Sequence, residues 1–324
     1  MTLKGQTFFL AVNTGLSSNG SPNEDCIEFY RERSGNNIDC SIVGNVVITD
    51  GFGTNNACST ISDDPAWAEL AKSISNNGSI AGIQLSSTWE GYEGIKSFVA
   101  SRESSPIDDY IKQTSNITQF QIEKIISDLK NSIDLSIQAG FTHIQIHAAH
   151  GYLFSLLIDP YFCRYSELFQ KELKVITLGL RNINIESSIR FSLITGSQVV
   201  DRHRNSLIQE IMELGFDYFD VSFGFYNINK NLIYPVSVSA LKSRWSKTVK
   251  LAEANRNQSI IASGRLSREV LAILPDNVHF GYCRDLIANP KFLTENNGKG
   301  CNDCGDCHYY SQGNDHLVCG TFSR

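Results

Sequence analysis

The chain has 324 residues, a formal net charge of −6, a hydrophobic fraction of 41% and a charged fraction of 19%. This apolar content favours a folded chain with a sizeable core over a disordered chain, and 24 Gly with 7 Pro exclude a collagen-like sequence. The acidic balance argues against a nucleic-acid partner, and no apolar stretch approaches the ~18 residues that a membrane span needs.

Short apolar segments alternate with helical segments along the chain. The predicted strands are Gln6–Val12, Cys40–Ile48, Ile80–Ser86, His143–Ala148, Ile189–Ile194, Tyr218–Ser222, Ser259–Ala262 and His279–Cys283. The predicted helices are Trp67–Ser75, Thr118–Ala139, Tyr165–Leu180, Arg204–Leu214, Ser237–Ala254 and Ser267–Leu274. The helix at Thr118–Ala139 has the clearest pattern, because Thr118 and Gln121 form a capping-box motif and Gly140 follows its end.

Strands that alternate with helices predict a parallel sheet, which can be doubly wound or closed into a barrel. The chain shows no break in composition and no G-x-G-x-x-G after its first strand, which favours the closed barrel. We therefore predict a single (β/α)8 TIM barrel over residues 1–295, with a short cysteine-rich C-terminal tail over residues 296–324. The chemistry of such barrels lies at the C-terminal ends of the strands.

Two histidines and a tyrosine, His147, His150 and Tyr152, follow the end of the fourth predicted strand. Two neutral imidazoles can donate hydrogen bonds to one carbonyl or anionic oxygen. A tyrosine, with a usual pKa of about 10, can protonate a developing carbanion. In the alternative interpretation, one histidine caps a helix and the tyrosine packs in the core. A metal site is less favoured because no third ligand is evident nearby.

The chain has nine cysteines, and four of them lie close together near the C-terminus, at Cys301, Cys304, Cys307 and Cys319. The odd count and the lack of a signal peptide predict a reducing, cytoplasmic location. Four thiolates at this spacing can hold a [4Fe–4S] cluster or a tetrahedral zinc ion. A redox C-x-x-C at Cys304–Cys307 is a weaker interpretation, because no thioredoxin-like context surrounds it.

The segment His147-Ala-Ala-His150-Gly-Tyr152-Leu resembles the old yellow enzyme family, the FMN-dependent ene-reductases also called NADH:flavin oxidoreductases. Further segments resemble that family in the same order along the chain: Ala11–Thr14, Gly44, Gln84-Leu85, Arg190-Phe-Ser192, Ser263-Gly264-Arg265 and Arg284-Asp-Leu-Ile-Ala-Asn-Pro290. Together they cover nearly the whole chain.

The resemblance implies that FMN binds at the barrel mouth. The contacts it implies are Thr14, Gly44, Gln84, Arg190, Gly264, Arg265, Cys283 and Arg284. Gln84 would bond the pyrimidine edge of the flavin, Arg190 would place positive charge near N1 and C2=O, and Arg284 would add charge at the phosphate. The implied reaction is reduction of an activated C=C bond. Flavin N5 would supply the hydride, Tyr152 the proton, and His147 with His150 would hold the substrate oxygen.

The resemblance also implies partners. These are a small-molecule substrate with an electron-withdrawing oxygen, and an electron donor that is either NAD(P)H or a protein acting through the cysteine cluster. It is consistent with a homo-oligomer. The sequence departs from the family at Ser86–Gly91, at Cys163 and at Cys283. These departures keep two alternatives open: a flavin dehydrogenase of an amine or a C–C bond, and a non-catalytic flavin-binding subunit.

Overall fold

The computed structural model describes residues 5–92, 105–235, 237–265, 274–295 and 298–321. Its strands are β1 (Thr7–Phe9), β2 (Ser17–Ser18), β3 (Ser21–Pro22), β4 (Cys40–Val47), β5 (Ile80–Ser86), β6 (His143–Ala148), β7 (Glu186–Ser192), β8 (Tyr218–Ser222), β9 (Ser259–Ser263) and β10 (Val278–Tyr282). Its helices are α1 (Glu24–Glu32), α2 (Pro65–Asn76), α3 (Ser105–Ser115), α4 (Gln119–Gln138), α5 (Leu153–Leu157), α6 (Ser166–Asn182), α7 (Gln198–Asp201), α8 (Arg204–Met212), α9 (Lys230–Ile233), α10 (Val238–Ala254) and α11 (Arg284–Ala288), with a 3₁₀ helix at Tyr309–Gln312. Residues 267–273 of the predicted helix Ser267–Leu274 lie outside the described residues.

Eight of these strands close into a parallel barrel in the order β1-β10-β9-β8-β7-β6-β5-β4. Strand β1 completes the ring because Phe9 pairs with Tyr282 of β10 on one side and Phe8 pairs with Cys40 of β4 on the other. Strands β2 and β3 form a separate antiparallel hairpin. The predicted (β/α)8 barrel is therefore confirmed. None of the described helices is long and apolar enough to cross a membrane.

Local sequence accounts for several element ends. Strands β5, β6 and β8 have the predicted bounds, and the predicted capping box starts α4: the Thr118 N–H donates to Gln121 Oε1 at 2.9 Å and the Gln121 N–H donates to Thr118 Oγ1 at 3.3 Å. Strand β7 begins three residues before the predicted Ile189. Its first residues are polar because Glu186 and Ser188 both bond the buried ring of His143, so the apolar pattern does not reveal this start.

A row of buried polar side chains crosses the barrel interior from β5 to β8. Gln84 donates to Gln145 at 2.5 Å, and Gln145 donates to Ser188 at 3.1 Å and to Asp220 at 3.5 Å. Each of these side chains is at most 2% exposed. Buried polar groups that are hydrogen-bonded to one another fix a single arrangement of the strands, so this row gives the overlying barrel mouth a rigid base.

Candidate active site

A cavity of about 350 Å³ opens at the C-terminal ends of the barrel strands. This volume lies in the range of small-molecule and cofactor sites, and the position is the one that barrel enzymes use. Nine of the predicted catalytic and flavin-binding residues line it: Gln84, His147, His150, Tyr152, Arg190, Gly264, Arg265, Cys283 and Arg284. Residues that are far apart in sequence thus meet at one cavity.

Two predicted flavin contacts, Thr14 and Gly44, lie beside the cavity but do not line it. Their neighbours Asn13 and Asn45 do. The Thr14 hydroxyl instead accepts a hydrogen bond from the backbone N–H of Leu16 at 3.2 Å. A side chain at Gly44 would come within 3.0 Å of the Gln84 Cβ, so the glycine lets β4 approach β5 closely. Its contribution to the site is therefore to the position of Gln84.

Arg190 of β7 lines the floor of the cavity. On β7 it pairs with His147 of β6 on one side and with Asp220 of β8 on the other. Its Nη1 donates to Asp220 Oδ2 at 2.6 Å, and Nη2 donates to the Ser222 hydroxyl at 3.4 Å. The Arg190 side chain is 16% exposed, whereas Asp220 is fully buried beneath it. The floor therefore presents a fixed cation to the cavity.

The two histidines carry different hydrogen bonds. Nδ1 of His147 accepts from the Ala149 N–H at 3.3 Å, which leaves the proton on Nε2. Nδ1 of His150 lies 3.1 Å from the Gly224 carbonyl oxygen, which can only accept, so this nitrogen carries the proton. Nε2 of His150 then accepts from the Ser222 hydroxyl at 3.0 Å. In this arrangement His147 has a donor for a ligand in the cavity, while both His150 nitrogens already have protein partners.

Both imidazoles are held neutral. Burial, with the positive charge of Arg190 as a second cause, lowers the pKa of His147 to about 3. The same two causes, in the same order, lower the pKa of His150 well below its usual value. Neutral imidazoles suit a site that donates hydrogen bonds to a carbonyl oxygen, because their protonation state does not change near pH 7.

Tyr152 lies beside His147 in the cavity wall. It occupies the N-cap position of α5, and its ring centroid is 5.0 Å from that of His147. The rings of Tyr92 and Tyr226 lie beside that of Tyr152, with centroids 5.9 and 5.5 Å from its own. Burial raises the pKa of Tyr152 well above 10, so the phenol keeps its proton. Tyr152 is thus a protonated phenol beside a neutral imidazole.

The far end of the cavity is cationic. Gly264 follows β9 with a φ of +100°, a conformation that glycine adopts readily. Arg265 and Arg284 both pair with Asp303 of the tail, and Arg284 does so at 3.2 Å. Arg244 of α10 also lines this end, and the sequence analysis missed it. The available signal was an arginine at a position of the buried α10 stripe, which otherwise holds Leu241, Thr248, Leu251 and Ala252.

The four tail cysteines surround a second, small cavity, which all of Cys301, Cys304, Cys307 and Cys319 line. Cys301 and Cys307 line the large cavity as well, so the two cavities are adjacent. Burial raises the pKa of Cys307 to about 11 and also raises that of Cys301. Within the described ranges, no group of three or more His, Cys, Asp or Glu side chains is arranged to hold a single metal ion.

The residues at the mouth fit FMN. Three buried polar atoms there have no hydrogen-bond partner: Asp220 Oδ1 on the floor, and Arg244 Nε and Arg265 Nη2 at the cationic end, where Arg265 forms an ion pair with Asp303. Such atoms are unfavourable unless a ligand or water satisfies them. The cavity offers amide and guanidinium donors at Gln84 and Arg190, and arginines at its far end. This set suits a flat, hydrogen-bonding ring with an anionic group at some distance from it.

A (β/α)8 barrel whose mouth combines this donor set with His147 and Tyr152 defines the class of flavin-dependent oxidoreductases built on that fold. The chain belongs to the NADH:flavin oxidoreductase / NADH oxidase family, whose sequence profile matches residues 1–167. The chain is 32% identical over 101 residues to an NADPH dehydrogenase of Bacillus velezensis, a match that spans 31% of this chain and 30% of that protein. It is 25% identical over 235 residues to an NADPH dehydrogenase of a Geobacillus species, covering 68% of this chain and 67% of the relative.

Two solved structures share the fold. Old yellow enzyme from Pichia sp. AKU4542 superposes with a TM-score of 0.67 at 16% identity, over 90% of this chain and 83% of that one. A 2-naphthoyl-CoA reductase, solved as a complex with 2-naphthoyl-CoA, superposes with a TM-score of 0.73 at 16% identity, over 98% of this chain and 54% of that one. At this identity the likeness shows the barrel architecture alone.

Proposed function

We propose that the chain binds FMN at the barrel mouth and reduces a C=C bond that is activated by a neighbouring carbonyl or similar oxygen, with NAD(P)H as electron donor. One observation carries the proposal: the neutral donor His147 and the protonated Tyr152, with ring centroids 5.0 Å apart, line the same cavity as Gln84 and Arg190. The hydrogen-bond donors for a flavin and the groups for a proton transfer therefore share one site.

The protein's own groups have distinct tasks in this proposal. FMN, when bound, supplies the hydride. Nε2–H of His147 donates to the substrate oxygen and polarises the C=C bond. Tyr152 delivers its proton to the carbon next to the activating group, because its raised pKa keeps the phenol protonated until a more basic carbanion develops. Arg190 supplies positive charge on the floor, with Asp220 fixing its orientation.

His150 has a narrower role than the sequence suggested. Its Nε2 accepts from Ser222, so it donates to a substrate only if that hydrogen bond is exchanged and the ring tautomer changes. We propose that the chain Arg190–Ser222–His150–Gly224 orients the cavity wall beside His147. The second donor to the substrate oxygen, which the resemblance implies for His150, then depends on ligand arrival.

The test is spectroscopic. Protein purified without oxygen is expected to show flavin absorbance bands, to lose them when NADPH is added, and to recover them when 2-cyclohexenone is added. Arg190→Ala is expected to retain less FMN through dialysis than the wild type. A folded protein that binds no FMN would refute the cofactor. Reduction by NADPH without reoxidation by the enone would favour the dehydrogenase alternative.

We further propose that the tail cysteines hold a [4Fe–4S] cluster beside the flavin. All four cysteines line one cavity that adjoins the flavin cavity, which suits electron exchange between the two. A cubane cluster distributes its four thiolates over four irons, whereas zinc gathers them about 2.3 Å from one point. Anaerobic protein is expected to contain about four irons per chain, Cys304→Ser to lose them, and Cys163→Ala to retain them. Zinc in place of iron would overturn this proposal.

A further inference from the structure

Four arginines line the large cavity, and they differ in how their charge is balanced. Arg190 pairs with Asp220, and Arg265 and Arg284 share Asp303. Arg244 forms no ion pair within 4.0 Å with any carboxylate in the described part of the chain, and the attraction of Asp220 is a smaller influence on its pKa than burial or Arg190. Arg244 is therefore the cavity arginine whose positive charge has no carboxylate partner in the described residues.

The surroundings of Arg244 are poor in acceptors. Nη2 donates to the Ser263 hydroxyl at 3.2 Å, Nη1 donates to the Leu232 carbonyl at 3.4 Å, and Nε has no partner. The guanidinium carbon lies 4.7 Å from the ring centre of Phe223. The side chain is 7% exposed, so water does little to solvate the charge. A buried cation with an unsatisfied N–H is unfavourable unless a ligand completes it.

The charge persists at neutral pH. Burial is the main cause that lowers the pKa of Arg244, to about 9, and repulsion by Arg190 is the second. At pH 7 the group is therefore still a cation. Both causes diminish when an anion enters the cavity beside it, since the anion offsets the desolvation and the repulsion together.

Helix α10 also shapes the neighbouring turn. The residue after Arg244 is Trp245, whose indole Nε1 donates to the Gly264 carbonyl oxygen at 2.9 Å. This bond occupies an acceptor that would otherwise repel an anion at this end. A Cβ atom on Gly264 would lie 3.1 Å from both Cδ and Nε of Arg244, so the glycine lets the turn approach the guanidinium. Two successive residues of α10 thus make the end of β9 compatible with an anion.

We propose that Arg244 recognises the phosphate group of FMN and gives the site its preference for FMN over riboflavin. The inference rests on the proposed function, because it takes FMN to be the cofactor. A guanidinium with a free N–H forms strong, charge-assisted bonds to phosphate oxygens. Arg265 and Arg284 add longer-range positive charge, but each also has Asp303 as a partner.

The experiment compares two ligands that differ only in the phosphate. FMN and riboflavin are titrated into flavin-free protein, and binding is followed by flavin fluorescence. The wild type is expected to bind FMN more tightly. Arg244→Gln is expected to weaken FMN binding about 10- to 100-fold, the range for a hydrogen bond to a charged group, and to change riboflavin binding less than about twofold. Arg244→Lys keeps the charge and loses the planar fork of the guanidinium. Its affinity for FMN is expected to lie between those of the wild type and Arg244→Gln, and its affinity for riboflavin to stay that of the wild type.

Two controls make the result specific. Arg190→Gln is expected to weaken the binding of FMN and of riboflavin by similar factors, because Arg190 lies on the cavity floor. Arg181→Gln, at an exposed arginine of α6, is expected to alter neither. Equal weakening of both ligands by Arg244→Gln, or no effect on either, overturns the inference. If Arg244→Gln does not fold, the same comparison with Arg244→Lys decides. A wild type that binds neither flavin refutes the proposed function instead.

Discussion

At the scale of single residues, the site depends on hydrogen bonds that give two neighbouring histidines different tautomers. His147 and His150 are three positions apart and both are buried, yet the backbone N–H of Ala149 fixes one tautomer and the Gly224 carbonyl fixes the other. Their chemistry therefore follows from backbone contacts. A sequence pattern identifies the imidazoles and leaves their tautomers open.

The neutral state of His147 predicts a pH dependence of stability. Folded His147 takes up a proton only near pH 3, whereas an unfolded histidine does so near its usual 6.5. Between these values the unfolded state binds more protons, so the contribution is full above pH 6.5 and is lost as the pH falls toward 3. Between pH 7.5 and 5 the free energy of unfolding should fall by about 2 kcal/mol more in the wild type than in His147→Gln. Urea unfolding at both pH values measures this, and equal losses would contradict it.

Tyr152→Phe should separate the two half-reactions. Reduction of the flavin by NADPH needs no proton from the phenol and is expected to be nearly unchanged. Reoxidation by 2-cyclohexenone is expected to slow about 100-fold or more, the usual contribution of a positioned general acid. Rapid-mixing absorbance at the flavin bands measures each step. Tyr161→Phe, at a ring stacked near His203, is the control. Equal rates in the two variants would remove Tyr152 from the proton transfer.

At the scale of elements, the polar residues at strand ends were predictable and the cationic helix residue was not. Parallel register brings His147 beside Arg190 and Arg190 beside Asp220. The positions of the strand ends were therefore enough to predict that these side chains lie together on the cavity floor. Arg244 reaches the cavity from α10, whose distance to the mouth depends on packing that is not encoded in local periodicity. Thr14 and Gly44 stay predicted flavin contacts; each lies one residue from a side chain that lines the cavity, Asn13 and Asn45, because tertiary contacts set the chain path after β1 and within β4.

A buried ion pair connects the end of α5 to α8. Arg204, the first residue of α8, donates to Asp159 Oδ2 at 2.6 Å, and both side chains are at most 6% exposed. Asp159→Asn leaves a buried cation without its counter-charge and should reduce the free energy of unfolding by about 3–5 kcal/mol. Asp50→Asn, which removes an exposed partner of Lys124, should change it by less than about 1 kcal/mol. Denaturant unfolding compares the two, and similar losses would refute the distinction.

At the scale of the whole molecule, the tail is part of the barrel mouth. Residues Cys307, His308, Tyr309, Tyr310 and Ser311 line the large cavity. The Leu317 N–H donates to the Thr14 carbonyl oxygen at 2.7 Å, and Asn55 donates to the Tyr309 hydroxyl at 3.2 Å. The division at residue 296, which rests on the cluster of tail cysteines, stays a prediction. The contacts of the tail with the barrel mouth depend on tertiary packing, which a cysteine spacing does not show.

Two glycines allow a matched test of this contact. Gly15 and Gly20 both have positive φ, at +66° and +82°. A Cβ at Gly15 would meet the Asp315 carbonyl oxygen at 2.6 Å, whereas a Cβ at Gly20 would meet nothing within 4 Å. Gly15→Ala should displace the tail. FMN dissociation and proteolysis of the tail should therefore be faster in Gly15→Ala than in Gly20→Ala. Stopped-flow flavin release and limited trypsin digestion provide the measurements. Indistinguishable variants would show that the tail does not retain the cofactor.

The uneven charge balance of the cavity arginines has a consequence for how the protein is handled. A lone guanidinium beside Arg190 repels it, and any small oxyanion that enters the cavity relieves that repulsion. Inorganic phosphate in the buffer should therefore bind beside Arg244 as a counterion. It should raise the melting temperature of flavin-free protein, and it should compete with FMN more than with riboflavin. Chromatography in phosphate would then strip the cofactor more readily than chromatography in an amine buffer with chloride as its anion at the same ionic strength.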